Sequence, residues 1–204
     1  MVKVKFCGLK RYEDVEKAVS LGVDYIGFVL YPKSPRFVGF DELQELVYTA
    51  GNTKKVGVMV DPEYEYVKRV LDMGIDLVQL HGEESFEFAK KIGIDRVIKA
   101  FRVKDELWIP KEWHSVYAIL LDTYSDKAYG GTGKTFDWRL AEKFVKEGFR
   151  VFLSGGLNPS NVMHAVKRVN PYAVDVSSGI EVSPGVKDHD KMIAFVKALR
   201  NNLS

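Results

Sequence analysis

Along the chain, short runs rich in Val, Ile, Phe and Leu alternate with longer stretches whose apolar residues recur at helical spacing. The first run, Val2–Phe6, breaks at Cys7-Gly8, and a helix follows over Tyr12–Leu21 with Val15, Ala18 and Val19 on one face. Further strands are predicted at Asp24–Leu30, Lys55–Val60, Asp76–Leu80, Arg96–Phe101, Val116–Leu121, Arg150–Leu153 and Ala173–Val176. Helices are predicted between them at Phe40–Ala50, around Val67, Val70 and Leu71, and at Glu84–Ile92, Asp137–Glu147 and Pro159–Val169, with a last one at Asp188–Arg200. Asp61-Pro62 reads as a helix cap followed by proline at the first helical position. Lys104–Ser115 contains Pro110 and two tryptophans, and supports at best a short or irregular helix.

Eight strand–helix units without a break in composition predict a single (β/α)8 barrel occupying residues 1–204 as one catalytic domain. The alternative is an open doubly wound sheet, which would use fewer strands at this length. Alternation along the strands sends Val2, Val4 and Phe6 to the helix layer, and Lys3, Lys5 and Cys7 to the barrel axis. The same rule pairs Leu120 with Asp122, Gln79 with His81, and Ala173 with Asp175 and Ser177. Polar residues therefore converge inside, near the C-terminal ends of the strands. Apolar side chains would fill that space at lower cost, so the pattern points to function.

Composition narrows the classes. The net charge is +2 with charges of both signs scattered, which gives no basic stripe for nucleic acid. No apolar stretch reaches membrane-spanning length and the N-terminus has no signal-peptide pattern, so the expected location is cytoplasmic. One cysteine excludes an internal disulfide, and four histidines without ligand spacing predict no metal. No cofactor motif is present. The oligomeric expectation is a monomer or a homodimer.

Cys7 and Asp122 each stand at a strand tip, where barrel enzymes place reacting groups, and together they suggest proton transfer. A lone cysteine is also a common small core residue. Lys5 on the same face would favour the thiolate, lowering a pKa of roughly 8.5 toward neutrality, whereas burial would have to raise that of Asp122 for it to serve as an acid. Gly155-Gly156 and Ser178-Gly179 follow the last two strands, where backbone N–H groups can cradle a phosphate; a plain tight turn is the competing reading. Arg36 ends a loop stiffened by Pro32 and Pro35 and suits a planar carboxylate, or else is simply solvated. His81 suits substrate binding or a proton shuttle, or a bond to its own loop. Lys99 leaves open a Schiff-base aldolase, although a barrel lysine is more often ion-paired. Gly130–Thr135 lacks P-loop spacing and reads as a mobile cover over the site. Another sugar-phosphate isomerase and a non-catalytic phosphate-binding barrel are further alternatives.

Seven segments, in order from end to end, carry a resemblance. They are Val4–Gly8, Tyr31–Arg36, Gln79–Gly82, Leu120–Thr123, Gly130–Trp138, Leu153–Pro159 and Asp175–Glu181. Together they resemble the phosphoribosylanthranilate isomerases of tryptophan biosynthesis. The resemblance implies an Amadori rearrangement of a phosphorylated sugar-anthranilate to its deoxyribulose phosphate, with Asp122 as general acid and Cys7 as general base. It further implies that Arg36 holds the anthranilate carboxylate, that Gly155, Gly156, Ser178 and Gly179 hold the phosphate, and that Gln79, His81 and Asp175 neighbour the substrate. The irregular segment after the fifth strand departs from the family pattern.

Overall fold

In the computed structural model, which describes residues 1–103, 107–123 and 137–200, eight parallel strands close into a barrel. In chain order the elements are β1 (Lys3–Cys7), α1 (Tyr12–Ser20), β2 (Tyr25–Val29), α2 (Phe40–Ala50), β3 (Lys54–Met59), α3 (Tyr64–Asp72), β4 (Leu77–Leu80) and α4 (Phe86–Ile92). They continue with β5 (Val97–Val103), β6 (Ala118–Thr123), α5 (Trp138–Lys146), β7 (Val151–Leu153), α6 (Val162–Val169) and β8 (Ala173–Val176). A small antiparallel hairpin, β9 (Glu181–Ser183) with β10 (Val186–Lys187), precedes α7 (His189–Arg200). Each barrel strand pairs with the next, and β8 seals against β1 in the register Lys3↔Ala173 and Lys5↔Asp175. No helix among the described residues is long and apolar enough to cross a membrane.

Alternation divides the core into two. Phe6, Ile26, Phe28, Val78, Leu121 and Val174 face the helix layer, where Phe6 meets Phe195 of α7 edge-on at 5.9 Å. Tyr25, Val56, Leu77, Ile98, Ala100, Ala118, Leu120, Phe152 and Ala173 fill a separate cluster on the barrel axis. The polar residues expected on that axis stand above this plug, so the inward parity read from the sequence holds around the barrel.

Two local readings change and one holds. The turn after β3 is not a cap: α3 begins at Tyr64 with Glu63 at its N-cap, and Asp61 takes a left-handed φ of 46°. Its carboxylate instead accepts from Glu83 N at 2.7 Å, a long-range bond that the adjacent proline disguised. Helix α6 starts at Val162 rather than Pro159, because Asn158 Oδ1 turns to accept from Ser160 N at 2.9 Å. After β5 the described residues form only a three-ten turn, Lys111–Ser115, behind Pro110. Trp113 occupies a place in the helix layer there, meeting Phe86 at 5.2 Å and Phe101 at 5.8 Å. The expected cover, Gly130–Thr135, lies outside the described residues.

Candidate active site

A cleft opens at the C-terminal end of the barrel. Cys7, Arg36, Gln79, His81, Asp122 and Asp175 all line it, joined by Tyr31, Ser34, Ser154 and Ser177. Six side chains singled out from the sequence thus meet in one place. They come from the ends of β1, β4, β6 and β8 and, for Arg36, from the β2–α2 loop.

Cys7 is buried beside Lys5, whose ammonium is wholly enclosed and bonded to Asp175 Oδ1 at 2.6 Å. Ser154 Oγ donates to the other oxygen, Asp175 Oδ2, at 3.0 Å. The facing position on β2 is Gly27, where a Cβ would stand 2.9 Å from Cys7 Sγ and 3.2 Å from Lys5 Nζ. Any larger residue would displace both groups. Burial pushes the Cys7 thiol above its ordinary value, and the pull of Lys5 toward thiolate is outweighed, since Asp175 adds a negative charge beside it. The expectation of a lowered thiol pKa is therefore corrected: the lysine is already paired. Burial works against the Lys5 ammonium too, but the charges of Asp175 and Cys7 more than compensate and hold its pKa up.

Across the cleft, Asp122 Oδ1 accepts from Thr123 N at 2.8 Å, while Oδ2 lies 3.5 Å from His81 Nε2. Gln79 Nε2 is 2.9 Å from His81 Nδ1. With Gln79 donating, Nδ1 is the acceptor, and the imidazole proton on Nε2 faces Asp122. Among the described residues, His81 Nε2 and Gln79 Oε1, both buried, have no hydrogen-bond partner. Such atoms are costly unless a ligand engages them.

Arg36 donates through Nε and Nη2 to Glu181, at 2.9 and 2.7 Å. Burial alone would raise the Glu181 carboxyl, but its bonds to Arg36 and the charge of Lys187 hold it below the usual range. Gly155, Gly156, Ser178 and Gly179 do not line the cleft itself; they form its neighbouring rim, half-buried at the ends of β7 and β8. Gly155 and Gly156 have φ of 87° and 67°, and at Gly179 a Cβ would meet Leu157 O at 1.9 Å, so the two loops touch backbone to backbone.

Lys99 is absent from the cleft. Ile98 and Ala100 face the axis, so Lys99 points outward and pairs with Glu84 at 2.8 Å. A Schiff-base role at the barrel centre is thereby ruled out by parity. Sequence reasoning passed over Ser154, which the i, i+2 rule from Phe152 would have found, and Glu181, whose relation to Arg36 spans 145 positions. Among the described residues no group of side chains could hold a metal ion.

Residues 4–198 match the family model described as N-(5'-phosphoribosyl)anthranilate (PRA) isomerase. A relative of that name from Aquifex aeolicus is 51% identical over 203 residues, covering 98% of this chain and 100% of its own. The crystal structure of phosphoribosyl anthranilate isomerase from Thermotoga maritima superposes with a TM-score of 0.89 at 40% identity, covering 98% of this chain and 100% of that one. A further structure of the enzyme, in complex with reduced 1-(o-carboxyphenylamino)-1-deoxyribulose 5-phosphate, gives a TM-score of 0.85 at 38% identity and covers 98% and 100% of the two chains. With fold, strand-tip residues and near full-length similarity in agreement, the chain belongs to the N-(5'-phosphoribosyl)anthranilate isomerase family.

Proposed function

We propose that Cys7 is the general base and Asp122 the general acid in the isomerisation of N-(5'-phosphoribosyl)anthranilate, the reaction of tryptophan biosynthesis that this chain catalyses. The observation that carries the assignment is that thiol and carboxyl line the same cleft from different strands, β1 and β6. Asp122 gives its proton to the furanose ring oxygen, and the ring opens to an iminium ion. The Cys7 thiolate then takes the C2′ proton, leaving an enolamine that tautomerises to the ketone. The overall change is aldose to ketose, with no net gain or loss of electrons.

Two anchors fix the substrate between acid and base. Arg36 takes the anthranilate carboxylate, and the rim formed by Gly155, Gly156, Ser178 and Gly179 takes the phosphate through backbone N–H groups, the two positive-φ glycines bringing no Cβ into its path. Holding both ends converts much of the barrier into orientation already achieved on binding. His81 Nε2 and Gln79 Oε1, unpartnered at the cleft wall, are placed to meet the sugar hydroxyls. Asp175 acts one step back, holding Lys5 beside the thiol. The 204-residue chain works as a single catalytic domain in this reading, and a role in small-molecule biosynthesis supports a cytoplasmic location.

The test is substitution with binding measured separately from turnover. Cys7→Ala and Asp122→Ala are each expected to lower kcat by about 10²–10⁴-fold while still binding the reduced product analogue. Near-normal kcat in either variant removes the role given to that residue.

A further inference from the structure

Glu181 sits at the head of the β9–β10 hairpin with its carboxylate surrounded by donors. Arg36 reaches it through Nε and Nη2, Lys187 Nζ donates to Oε1 at 2.8 Å, and Gly185 N donates to the same oxygen at 3.2 Å. Lys187, itself enclosed, also donates to the carbonyl oxygens of Cys7 at 2.6 Å and Ser177 at 3.2 Å. The guanidinium is thus moored to the same ammonium that braces the backbone of the proposed base.

A guanidinium presents its donors in a planar fork with more than one edge. Glu181 takes the edge formed by Nε and one N–H of Nη2. The end-on edge, formed by Nη1 and the remaining N–H of Nη2, is still able to grip a second carboxylate with two parallel bonds. Arg36 is on the cleft lining and its side chain is only 13% exposed, so the rigid body of the fork has little freedom to turn. An arginine on an exposed loop would have to be ordered each time it bound, at a cost in side-chain entropy.

We propose that Glu181 is a positioning residue for carboxylate recognition: it clamps one edge of Arg36 so that the other is presented to the substrate's anthranilate carboxylate. The inference rests on the role given to Arg36 above. It predicts that Glu181 contributes to affinity only through the carboxylate. A residue that merely holds the hairpin in shape would affect every ligand of the cleft alike.

Two ligands separate these cases: the reduced product analogue, and the same compound lacking the ring carboxylate. The ratio of their dissociation constants measures carboxylate recognition by the intact enzyme. Glu181→Gln is expected to shrink that ratio about tenfold, the size of a charge-assisted hydrogen-bond pair losing its geometry. In an Arg36→Ala background the same change is expected to have no further effect on the ratio. Should Glu181→Gln fail to fold, Glu181→Gln with Lys187→Met removes the stranded cation and is read the same way. A wild-type ratio in the folded Glu181 variant, with the ratio collapsed in Arg36→Ala, overturns the proposal alone. A wild-type ratio in Arg36→Ala overturns the reading of Arg36 on which it depends.

Discussion

At the scale of single residues, the thiol is governed by its neighbours' partners more than by its neighbours. Lys5 lies two positions from Cys7, and on that spacing alone it would pull the thiol toward ionisation. Asp175, 170 positions away, bonds the ammonium first and adds its own charge. That these side chains share one cleft was legible because alternation on a strand is a two-residue rule; the electrostatics were not, because they depend on strand β8 closing beside β1. A consequence follows for pH. The base we propose works as thiolate, and burial keeps its pKa above the ordinary value, so that form is a minority near neutrality. Accordingly, ultraviolet titration of the free enzyme, with Cys7→Ala as the blank, is expected to show thiolate absorbance still rising past pH 9. A thiol already ionised at pH 7 would show that Lys5 outweighs burial.

At the scale of elements, the long periodic segments were legible and the short ones were not. Helices α1, α2 and α7 announce themselves through repeated apolar faces. The strands β9 and β10 are only three and two residues long, too short for any period, and they surround Pro184-Gly185. They nonetheless deliver Glu181 and Lys187. The segment after β5 shows the opposite case. Only the turn Lys111–Ser115 forms behind Pro110, and the chain compensates with one large ring rather than a helical face. Trp113→Ala is expected to cost about 3–5 kcal/mol, the usual range for emptying a buried tryptophan site, read as a lower urea midpoint. An unchanged midpoint would show that Phe86 and Phe101 pack well without it.

At the scale of the whole molecule, the barrel has one end for chemistry and another for closure. The far end is plugged by three tyrosines: Tyr25 Oη is 2.7 Å from Tyr117 Oη and 3.4 Å from Tyr172 Oη. Burial and these bonds push the Tyr25 phenol well above its ordinary value, so Tyr25 stays protonated across the working range. Tyr25→Phe is expected to lower stability by about 1 kcal/mol, the net worth of a buried hydrogen bond, and to leave kcat/KM within twofold of wild type. A large fall in kcat/KM would show that the two ends are coupled through the apolar plug between them. The sequence made the barrel visible as a count of eight units; it left the plug unseen, because three phenols drawn from β2 and two loops share no local pattern.

The seal between the first and last barrel strands has a consequence for how the protein is made. Lys5 and the Cys7 carbonyl meet their partners at positions 175 and 187, so β1 stays unfinished until those residues have left the ribosome. Until then an ammonium destined for the interior remains in water, and the thiol remains an ordinary one. The cleft that the thiol lines therefore arrives only together with the completed ring.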